Sequence, residues 1–213
     1  MEQNVGILFD LDGTLLATLG DLAHAVNATL THFGYPCRSA DQVRSMVGDG
    51  VRNLLTQALP RGADVDEALA WYMPYYQTHC QDQTKPYDGI LEAVQLLQSK
   101  YPVAIVSNKP DEAVKTLCGQ YFPGIYAQGQ VETCPRKPAP DMLYMAMEAI
   151  GVEKCMYVGD TEVDVLTAQN AGVPCVTVLW GFRDRPLLEQ AGATCFCQTP
   201  EQLPCIVQQF LCK

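Results

Sequence analysis

The stretch ILFDLDGTLL, residues 7–16, places two aspartates directly after an apolar run. Val5–Phe9 is short and apolar, and it is followed by Asp10 and Gly13, which is typical of a buried strand that ends in a turn. Two carboxylates this close repel each other, and burial raises the free-energy cost of each charge. The sequence therefore indicates that Asp10 and Asp12 bind a cation or move a proton.

The rest of the chain divides into a helical part and a mixed part. Apolar residues recur at helical spacing over 15–33 and again over 39–84, with no strand pattern between them. After Pro86, short apolar runs alternate with helical patterns. The elements predicted there are a helix at 90–99, a strand at 103–106, a helix at 110–118, a strand at 125–128, a helix at 140–150, a strand at 156–158, a helix at 162–171, a strand at 175–178, a helix at 185–190, a strand at 194–196 and a helix from Pro200 onward.

This alternation predicts the fold class. Strands that alternate with helices form a parallel sheet that is covered on both faces. We therefore expect an α/β fold with a doubly wound parallel sheet, whose core comprises residues 1–15 and 86–213, and a helical insertion at 16–85. Functional groups in such folds lie beyond the carboxyl ends of the strands.

Four groups of polar residues follow predicted strands. The first is D-x-D-G-T at 10–14, which a solvated acidic turn would also explain. The second contains Ser107 and Asn108, and a serine hydroxyl at a strand end can donate a hydrogen bond to a phosphate oxygen. Serine and asparagine are also common in loops and helix caps, so this group is weak on its own.

The third and fourth groups carry opposite charges. Lys137 lies between prolines, which makes its segment stiff and its charge fixed, although a basic loop before a helix has the same pattern. Asp160 and Asp164 are four residues apart, so both project toward one side of a helix that starts there. Acidic residues at a helix N-terminus are also favoured by the helix dipole, which is the alternative explanation.

The four groups are more informative together than singly. Because parallel strands bring their carboxyl ends to one edge of a sheet, the carboxylates, the serine and the lysine are expected to share a cleft. Oxygen ligands suit Mg²⁺, which binds carboxylates, waters and substrate phosphate, while the lysine offsets the charge of the anion. The combination predicts a phosphoryl-transfer site.

Composition restricts the partners. The chain has 14 Lys and Arg against 24 Asp and Glu, a net charge of −10, which argues against nucleic acid and anionic membranes but not against a small anionic substrate. With 48% hydrophobic residues, its 213 residues can bury a sizeable core. We expect a small phosphorylated metabolite as partner and a monomer or a homodimer.

The ten cysteines are interpreted as buried free thiols. Cys195 and Cys197 form a C-x-C pair with Cys205 and Cys212 nearby, but the paired spacing of a metal site is missing. The sequence shows no signal-peptide pattern and no apolar run near the roughly 18 residues of a membrane span. We therefore expect a cytoplasmic protein with reduced thiols.

These motifs, in this order, resemble those of the haloacid dehalogenase-like hydrolase superfamily. The match covers nearly the whole chain and comprises DLDGT at 10–14, Ser107, Lys137 and GDTEVD at 159–164. The resemblance implies a haloacid dehalogenase-like, Rossmannoid core, and the insertion at 16–85 is similar to the small α-helical cap of that superfamily. Relatives often carry an aspartate where this chain has Ala17, so cap hinging or cap contacts could differ here.

The resemblance also implies a mechanism. Asp10 is expected to be the nucleophile that forms an aspartyl-phosphate, and Asp12 the general acid and then the general base. Ser107 and Lys137 are expected to bind the phosphoryl oxygens, with Lys137 also orienting Asp10. Dehalogenases of the superfamily lack the second aspartate, so Asp12 favours phosphate chemistry.

Further roles follow from the same resemblance. Mg²⁺ is expected to bind the Asp10 side chain, the Asp12 carbonyl and Asp160, with Asp164 in support. The remaining substrate-binding candidates are Thr14, Asn108, Gly50 and Arg52. The last two lie in the cap, where a helix-end glycine and a solvated arginine would explain them equally well.

Three more stretches narrow the resemblance. VGDGVRNLL at 47–55, PYDGI at 86–90 and WGFR at 180–183 are similar to segments of phosphoglycolate phosphatases, which implies hydrolysis of 2-phosphoglycolate. The G-x-G at 48–50 is not a dinucleotide fingerprint, because no strand precedes it and the third glycine is missing. A broad sugar-phosphate phosphatase, a pyrophosphatase and a β-phosphoglucomutase-like enzyme remain alternatives.

A protein without catalysis is a further alternative. Response-regulator receivers also gather acids, a hydroxyl and a lysine around Mg²⁺ at strand ends, so a phosphate-binding or phosphoacceptor module would share much of this pattern. Such receivers lack both the proton-transfer position of Asp12 and a helical cap. Asp12 is therefore the residue that separates an enzyme from a binding module.

Overall fold

The computed structural model describes residues 5–211, so residues 1–4 and 212–213, among them Cys212, lie outside the described residues. The strands are β1 (Val5–Phe9), β2 (Leu16–Ala17), β3 (Lys85–Pro86), β4 (Val103–Pro110), β5 (Tyr126–Gln130), β6 (Lys154–Gly159), β7 (Cys175–Val178) and β8 (Phe196–Cys197). The helices are α1 (Leu19–His32), α2 (Ala40–Met46), α3 (Gly50–Ala58), α4 (Val65–His79), α5 (Ile90–Gln98), α6 (Asp111–Tyr121), α7 (Asp141–Ala149), α8 (Glu162–Ala171), α9 (Arg185–Gln190) and α10 (Leu203–Leu211), and a 3₁₀ turn, Pro200–Gln202, precedes α10.

Six of these strands form one parallel sheet in the order β5-β4-β1-β6-β7-β8. Strand β1 lies inside the sheet and is buried along its whole length, because both faces are covered. Ile7 and Phe9 belong to the same apolar cluster as Ile90 of α5, whereas Leu8 packs in a separate cluster with Met142 of α7. This alternation explains why β1 is a continuous apolar run, and the predicted doubly wound α/β sheet is confirmed.

A two-stranded antiparallel ribbon flanks the inserted helices α1–α4. Leu16 of β2 lies opposite Pro86 of β3, and Ala17 opposite Lys85. The prediction of a helix from residue 15 is therefore wrong at its start, because α1 begins only at Leu19. Leu15 and Leu16 are fully buried and extend the apolar spacing of α1, so periodicity alone assigned them to the helix.

The structure differs from the sequence prediction at further boundaries, among them those of β5, at Tyr126–Gln130 instead of 125–128, and of β6, at Lys154–Gly159 instead of 156–158. Strand β4 continues beyond the predicted end at residue 106, because the polar residues Ser107–Lys109 are buried rather than part of a surface loop. Helix α6 accordingly begins at Asp111 instead of Pro110. Strand β8 occupies Phe196–Cys197 instead of 194–196.

The expectation that the cysteines are buried thiols holds for part of the set and is wrong for Cys37 and Cys205, which are exposed. Cys118, Cys155 and Cys197 are buried and form no disulfide, and burial raises the pKa of each thiol to about 12. These thiols therefore stay protonated and pack as small apolar groups. Between residues 5 and 211, no helix combines the length and the apolar composition that crossing a bilayer requires.

Candidate active site

A cavity of about 40 Å³ lies where β1 and β4 end, between the sheet and the inserted helices. The sequence-predicted site residues that line it are Asp10, Asp12, Ser107, Asn108, Lys137 and Gly50. The insertion adds Leu22 of α1, Val51 and Leu54 of α3 and Tyr76 of α4. The ends of the parallel strands thus bring the distant polar groups of the sequence to one place.

Lys137 is the buried cation beside Asp10. Its Nζ lies 2.9 Å from Asp10 Oδ1 and 2.7 Å from Asp164 Oδ1, and it donates a hydrogen bond to the Tyr157 hydroxyl at 2.8 Å. Burial alone would lower the pKa of Lys137, but the carboxylates of Asp10 and Asp164 hold it above its usual value. The ammonium is therefore charged and fixed by three partners.

Asp10 is buried, and its negative charge is only partly compensated by the Lys137 ammonium. Burial raises the pKa of Asp10 to about 7, although the Lys137 ammonium opposes the shift, and Asp164 adds to it. Within the part of the chain that the structure describes, the Lys137 ammonium at 2.9 Å is the one partner found for Oδ1 of Asp10. A buried carboxylate oxygen in this state is suited to a cation or to an attack on phosphorus.

Asp160 follows β6 and is oriented by two donors. Its Oδ1 accepts a hydrogen bond from Thr14 Oγ1 at 2.9 Å, and its Oδ2 accepts one from the backbone N–H of Phe182 at 2.7 Å. Thr14, predicted as a substrate-binding residue, thus uses its hydroxyl on Asp160. Burial raises the pKa of Asp160 well above its usual value, and the neighbouring carboxylates of Asp164 and Asp10 add to the shift.

Two glycines make room for the Asp160 carboxylate. A Cβ atom on either Gly13 or Gly181 would lie 2.3 Å from Oδ2 of Asp160, a distance that no side chain tolerates. Gly13 also adopts a φ of +82°, which favours glycine for a second reason. Gly13 of the D-x-D-G-T motif is therefore needed to make room for Asp160, which belongs to a different motif.

Asp164 is held by donors on both oxygens. Oδ1 accepts from Lys137 Nζ and from the Tyr157 hydroxyl at 3.0 Å. Oδ2 accepts from the Thr161 hydroxyl at 2.7 Å, the Thr161 backbone N–H at 3.0 Å and the Asp160 backbone N–H at 3.2 Å. Burial alone would raise the pKa of Asp164, but Lys137 and these hydrogen bonds lower it. Asp164 is therefore an ionised group that fixes Lys137.

The acidic cluster carries more negative than positive charge. Ligand oxygens of Asp10, Asp160 and Asp164 lie within 4.8 Å of one another, and all three residues are buried. Lys137 is the ammonium that pairs with two of them, so three carboxylates face one cation. A divalent cation would balance the remaining charge, and the oxygen-only donor set is the one that Mg²⁺ prefers. The cluster therefore fits a divalent metal.

Lys109 holds Asp12 and is a residue whose role the sequence analysis missed. Its Nζ donates hydrogen bonds to Asp12 Oδ1 at 2.8 Å, to Oδ2 at 3.1 Å and to the Tyr76 hydroxyl of α4. The Lys109 side chain is 1% exposed, and its ammonium also lies 4.8 Å from the centre of the Tyr76 ring. In the sequence, the one indication that Lys109 belongs to the site is its position directly after Ser107 and Asn108.

Ser107 and Asn108 differ in how far their side chains are engaged. Among residues 5–211, the Ser107 Oγ makes one hydrogen bond, which it accepts from the Lys109 backbone N–H at 3.4 Å. The Asn108 side chain accepts from the Lys137 backbone N–H at 2.8 Å and donates to the Lys137 carbonyl at 2.9 Å and the Gly48 carbonyl at 3.2 Å. Ser107 is thus available to a ligand, whereas Asn108 joins the Lys137 segment to the insertion.

The two cap candidates lie in different surroundings. Gly50, the first residue of α3, lines the cavity. Arg52 does not line it, because its guanidinium pairs with Asp66 and its side chain is 53% exposed. The structure therefore brings Gly50, but not Arg52, to the other site residues.

Arg183, which belongs to the WGFR stretch at 180–183 but had no role predicted from the sequence, ties the insertion to the core. Its Nη2 donates to the Val47 carbonyl at 2.7 Å, its Nη1 donates to the Arg44 carbonyl at 2.9 Å, and its Nε pairs with Glu162 at 2.7 Å. In return, Arg44 donates to the Gly181 carbonyl at 3.0 Å. These bonds hold the insertion against the cavity mouth.

Comparison with known proteins places the chain among related sequences. A sequence model of a family described as haloacid dehalogenase-like hydrolase matches residues 7–178. The chain is 36% identical over 215 residues to a phosphoglycolate phosphatase of Xanthomonas campestris pv. campestris (strain 8004), which covers 92% of this chain and 93% of the relative. It is 33% identical over 218 residues to phosphoglycolate phosphatase 1 of Pseudomonas aeruginosa, covering 95% of this chain and 79% of the relative.

Solved structures agree with these relatives. A protein from Lactobacillus delbrueckii subsp. bulgaricus superposes with a TM-score of 0.88 at 34% identity, covering 96% of this chain and 98% of the other. A haloacid dehalogenase-like family hydrolase from Streptococcus pneumoniae has a TM-score of 0.86 at 21% identity and shows the same fold. The family match over most of the sequence, with relatives at 33% and 36% identity, shows that the chain belongs to the haloacid dehalogenase-like hydrolase family.

Proposed function

We propose that this haloacid dehalogenase-like phosphatase hydrolyses 2-phosphoglycolate to glycolate and phosphate, with Mg²⁺ bound in its acidic cluster. The relatives from X. campestris and P. aeruginosa carry the name of that activity, and the chain spans most of their lengths. The observation that carries the proposal is the placement of Asp10 beside Lys137 and of Asp12 beside Lys109 at one cavity. The two aspartates thus lie beside different lysines, in keeping with different roles as nucleophile and as general acid and base.

Asp10, the Asp12 carbonyl and Asp160 would hold the metal in this proposal. The raised pKa values of Asp10 and Asp160 support such a role, because both carboxylates lack sufficient positive charge. Asp164 acts in support, since its oxygens are already occupied by five donor contacts. When bound, Mg²⁺ supplies positive charge beside the phosphoryl oxygens and reduces their repulsion with Asp10.

The first half-reaction transfers the phosphoryl group to Asp10. A carboxylate oxygen of Asp10 attacks phosphorus, the bond between phosphorus and the ester oxygen breaks, and Asp12 gives a proton to the departing alkoxide. Lys137 and the Ser107 hydroxyl stabilise the phosphoryl oxygens, where negative charge develops. The products of this step are glycolate and the aspartyl-phosphate.

The second half-reaction restores the enzyme. Asp12, now a carboxylate, takes a proton from a water molecule whose oxygen attacks phosphorus. The bond between phosphorus and the Asp10 oxygen breaks, and phosphate leaves. The position of Asp12 two residues after Asp10 makes one carboxylate available for both proton transfers.

The insertion at 16–85 is proposed to act as a cap. Its apolar residues Leu22, Val51 and Leu54 line the cavity together with the acids, and Arg183 holds it in place. Closure of such a cap excludes water from the reacting atoms. Asp12 then protonates a leaving group that is shielded from solvent.

Phosphate release from a panel of esters tests the proposal. The purified protein is incubated with Mg²⁺ and 2-phosphoglycolate, glucose 1-phosphate or pyrophosphate, and inorganic phosphate is measured. We expect the highest kcat/KM on 2-phosphoglycolate, reversible loss of activity with EDTA, and no release by Asp10→Asn. Comparable rates on all esters would reject the substrate, and release that persists in Asp10→Asn would reject the mechanism.

A further inference from the structure

Lys109 and Tyr76 form a second polar group in the cavity, apart from the acidic cluster. Both residues line the cavity, one from β4 of the core and the other from α4 of the insertion. Lys109 is nearly inaccessible, yet its charge is not used by the acids that surround Lys137. A buried ammonium needs anionic or hydrogen-bonding partners, and here they are Asp12 and Tyr76.

Lys109 and Tyr76 can donate hydrogen bonds to a ligand in the cavity. The Tyr76 hydroxyl accepts from Lys109, and no acceptor for its own proton is found among residues 5–211. An ammonium carries three protons, and the two carboxylate oxygens of Asp12 and the Tyr76 hydroxyl accept all three, with the contact to Asp12 Oδ2 the longer of the two to Asp12 at 3.1 Å. The phenol proton is therefore available to a ligand, and an ammonium proton becomes available when an incoming anion replaces one oxygen of Asp12. Two adjacent donors match the two oxygens of a carboxylate.

The apolar residues that line the same cavity favour a small group. Leu22, Val51 and Leu54 offer no hydrogen-bonding side-chain atoms, so hydroxyl groups of a sugar placed against them would lose their water without replacement. A short chain that ends in one carboxylate would place its anionic end on Lys109 and Tyr76, and its CH₂ group against the apolar wall. The cavity thus discriminates against polyhydroxylated leaving groups.

Spacing links this group to the reaction. Asp12, which serves the ester oxygen in the proposed mechanism, lies 2.8 Å from the Lys109 ammonium. In an ester of a 2-hydroxycarboxylate, a single carbon separates the ester oxygen from the carboxylate. Asp12 can therefore contact the ester oxygen while the adjacent Lys109 contacts the carboxylate of the same substrate.

Resting on the proposed function, we propose that Lys109 and Tyr76 together bind the carboxylate of the leaving group. The substrate class is then phosphate esters of short 2-hydroxycarboxylates. Lys109 is shared between Asp12 and the substrate, so binding of a substrate carboxylate draws the ammonium away from Asp12. Asp12 is then free to take part in proton transfer.

A matched pair of substrates tests this inference. Ethyl phosphate has a methyl group where 2-phosphoglycolate has its carboxylate, and kcat/KM is measured for both with Mg²⁺ present. The wild-type protein is expected to prefer 2-phosphoglycolate by about 100-fold or more, the scale of a buried charged interaction. A preference for ethyl phosphate would overturn the inference while leaving the phosphatase proposal intact, and no phosphate from either ester would overturn both.

Variants separate carboxylate binding from the positioning of Asp12. Lys109→Met is expected to reduce kcat/KM for 2-phosphoglycolate by about 100-fold and for ethyl phosphate by less than about 10-fold. Tyr76→Phe keeps the ring and removes the hydroxyl, so it is expected to lower kcat/KM about 5-fold for 2-phosphoglycolate alone. Equal losses on both esters in these variants would overturn the inference, since Lys109 would then act only through Asp12.

The controls address folding. Lys115→Met removes an exposed lysine of α6 that pairs with Asp111, and neither rate should change. If Lys109→Met fails to fold, Tyr76→Phe and the wild-type ratio still decide the question. The binding of 2-phosphoglycolate to Asp10→Asn, measured by calorimetry, is expected to weaken about 30-fold or more when Lys109→Met is added, and unchanged binding would contradict the proposal.

Discussion

The ammonium of Lys137 lies 2.9 Å from Oδ1 of Asp10, yet burial still holds the pKa of that aspartate at about 7. One cation is therefore too little for the acids that surround it. The Lys137 charge is divided between Asp10 and Asp164, and Asp164 binds it at the shorter distance of 2.7 Å. Asp10 is left partly uncompensated at the position where the mechanism needs a nucleophile.

Replacement of the nucleophile should remove turnover without removing the fold. Asp10→Asn is expected to reduce kcat by about 10⁴-fold or more, because an amide cannot form the acyl-phosphate. Asp82→Asn changes an exposed aspartate and should leave kcat unaltered. Phosphate release measures both variants, and residual activity above 1 part in about 100 in Asp10→Asn would contradict the assignment.

The pH dependence of metal binding follows from the raised pKa values of Asp10 and Asp160. A carboxyl with a raised pKa in the native state binds more protons there than in the unfolded chain, so the metal-free protein loses stability as pH rises from about 4 to about 7. A divalent cation replaces those protons. The increase of Tm caused by MgCl₂ should therefore be larger at pH 8 than at pH 5.5.

Differential scanning calorimetry with and without MgCl₂ provides the measurement. In Asp10→Asn, one of the titrating carboxyls is absent, so the difference between the two pH values should shrink. An equal increase of Tm at both pH values in the wild-type protein would mean that these acids do not hold the ion.

Substitutions of Asp160 and Asp164 should have different effects, because Asp160 is the proposed metal ligand and Asp164 holds Lys137 in place. Asp160→Asn is expected to weaken Mg²⁺ binding about 10- to 100-fold, because a charged ligand is lost. Asp164→Asn should weaken it less and lower kcat more, since Lys137 loses its closest anionic partner. The Kd for Mg²⁺ from calorimetry and kcat at saturating Mg²⁺ distinguish the two, and the reverse order would exchange the roles.

The bonds of Arg183 should control closure over the cavity. Arg183→Met leaves the Arg44 and Val47 carbonyls without this donor, a loss of about 1–3 kcal/mol. KM for the substrate is expected to rise more than kcat falls, because the open form becomes more populated. Arg185→Met, which removes an exposed neighbouring guanidinium, should change neither value. An unchanged KM in Arg183→Met would show that these bonds do not limit closure.

The sequence was sufficient to predict the parallel sheet and the convergence of the acidic residues at its edge. Polar residues that directly follow buried strands converge at the edge of a parallel sheet, and this rule alone brought Asp10, Ser107 and Asp160 together. The start of α1 was misplaced because Leu15 and Leu16, although buried against the core, continue the spacing of the helix that follows. Periodicity reports which residues are buried, and here it could not separate a short strand from a helical turn.

The residues that sequence reasoning missed all act across long separations. Lys109 binds Asp12 from 97 positions away and Tyr76 from 33, and Arg183 reaches Val47 over 136. No local pattern encodes such contacts, because they depend on how the insertion lies against the core. A lysine in a run of polar residues has the same local sequence whether it is solvated or buried.

The pairing of Leu16 with Pro86 brings together the two points where the insertion begins and ends. The chain returns to the sheet beside the place where it left, so a segment of another length can span the same two points. Loop-closure entropy changes only with the logarithm of length, and a longer or shorter segment costs little. A chimaera that carries a foreign segment on this ribbon would keep the phosphoryl chemistry while acquiring a new leaving-group preference, and evolution has the same route to new substrates without altering a single acid.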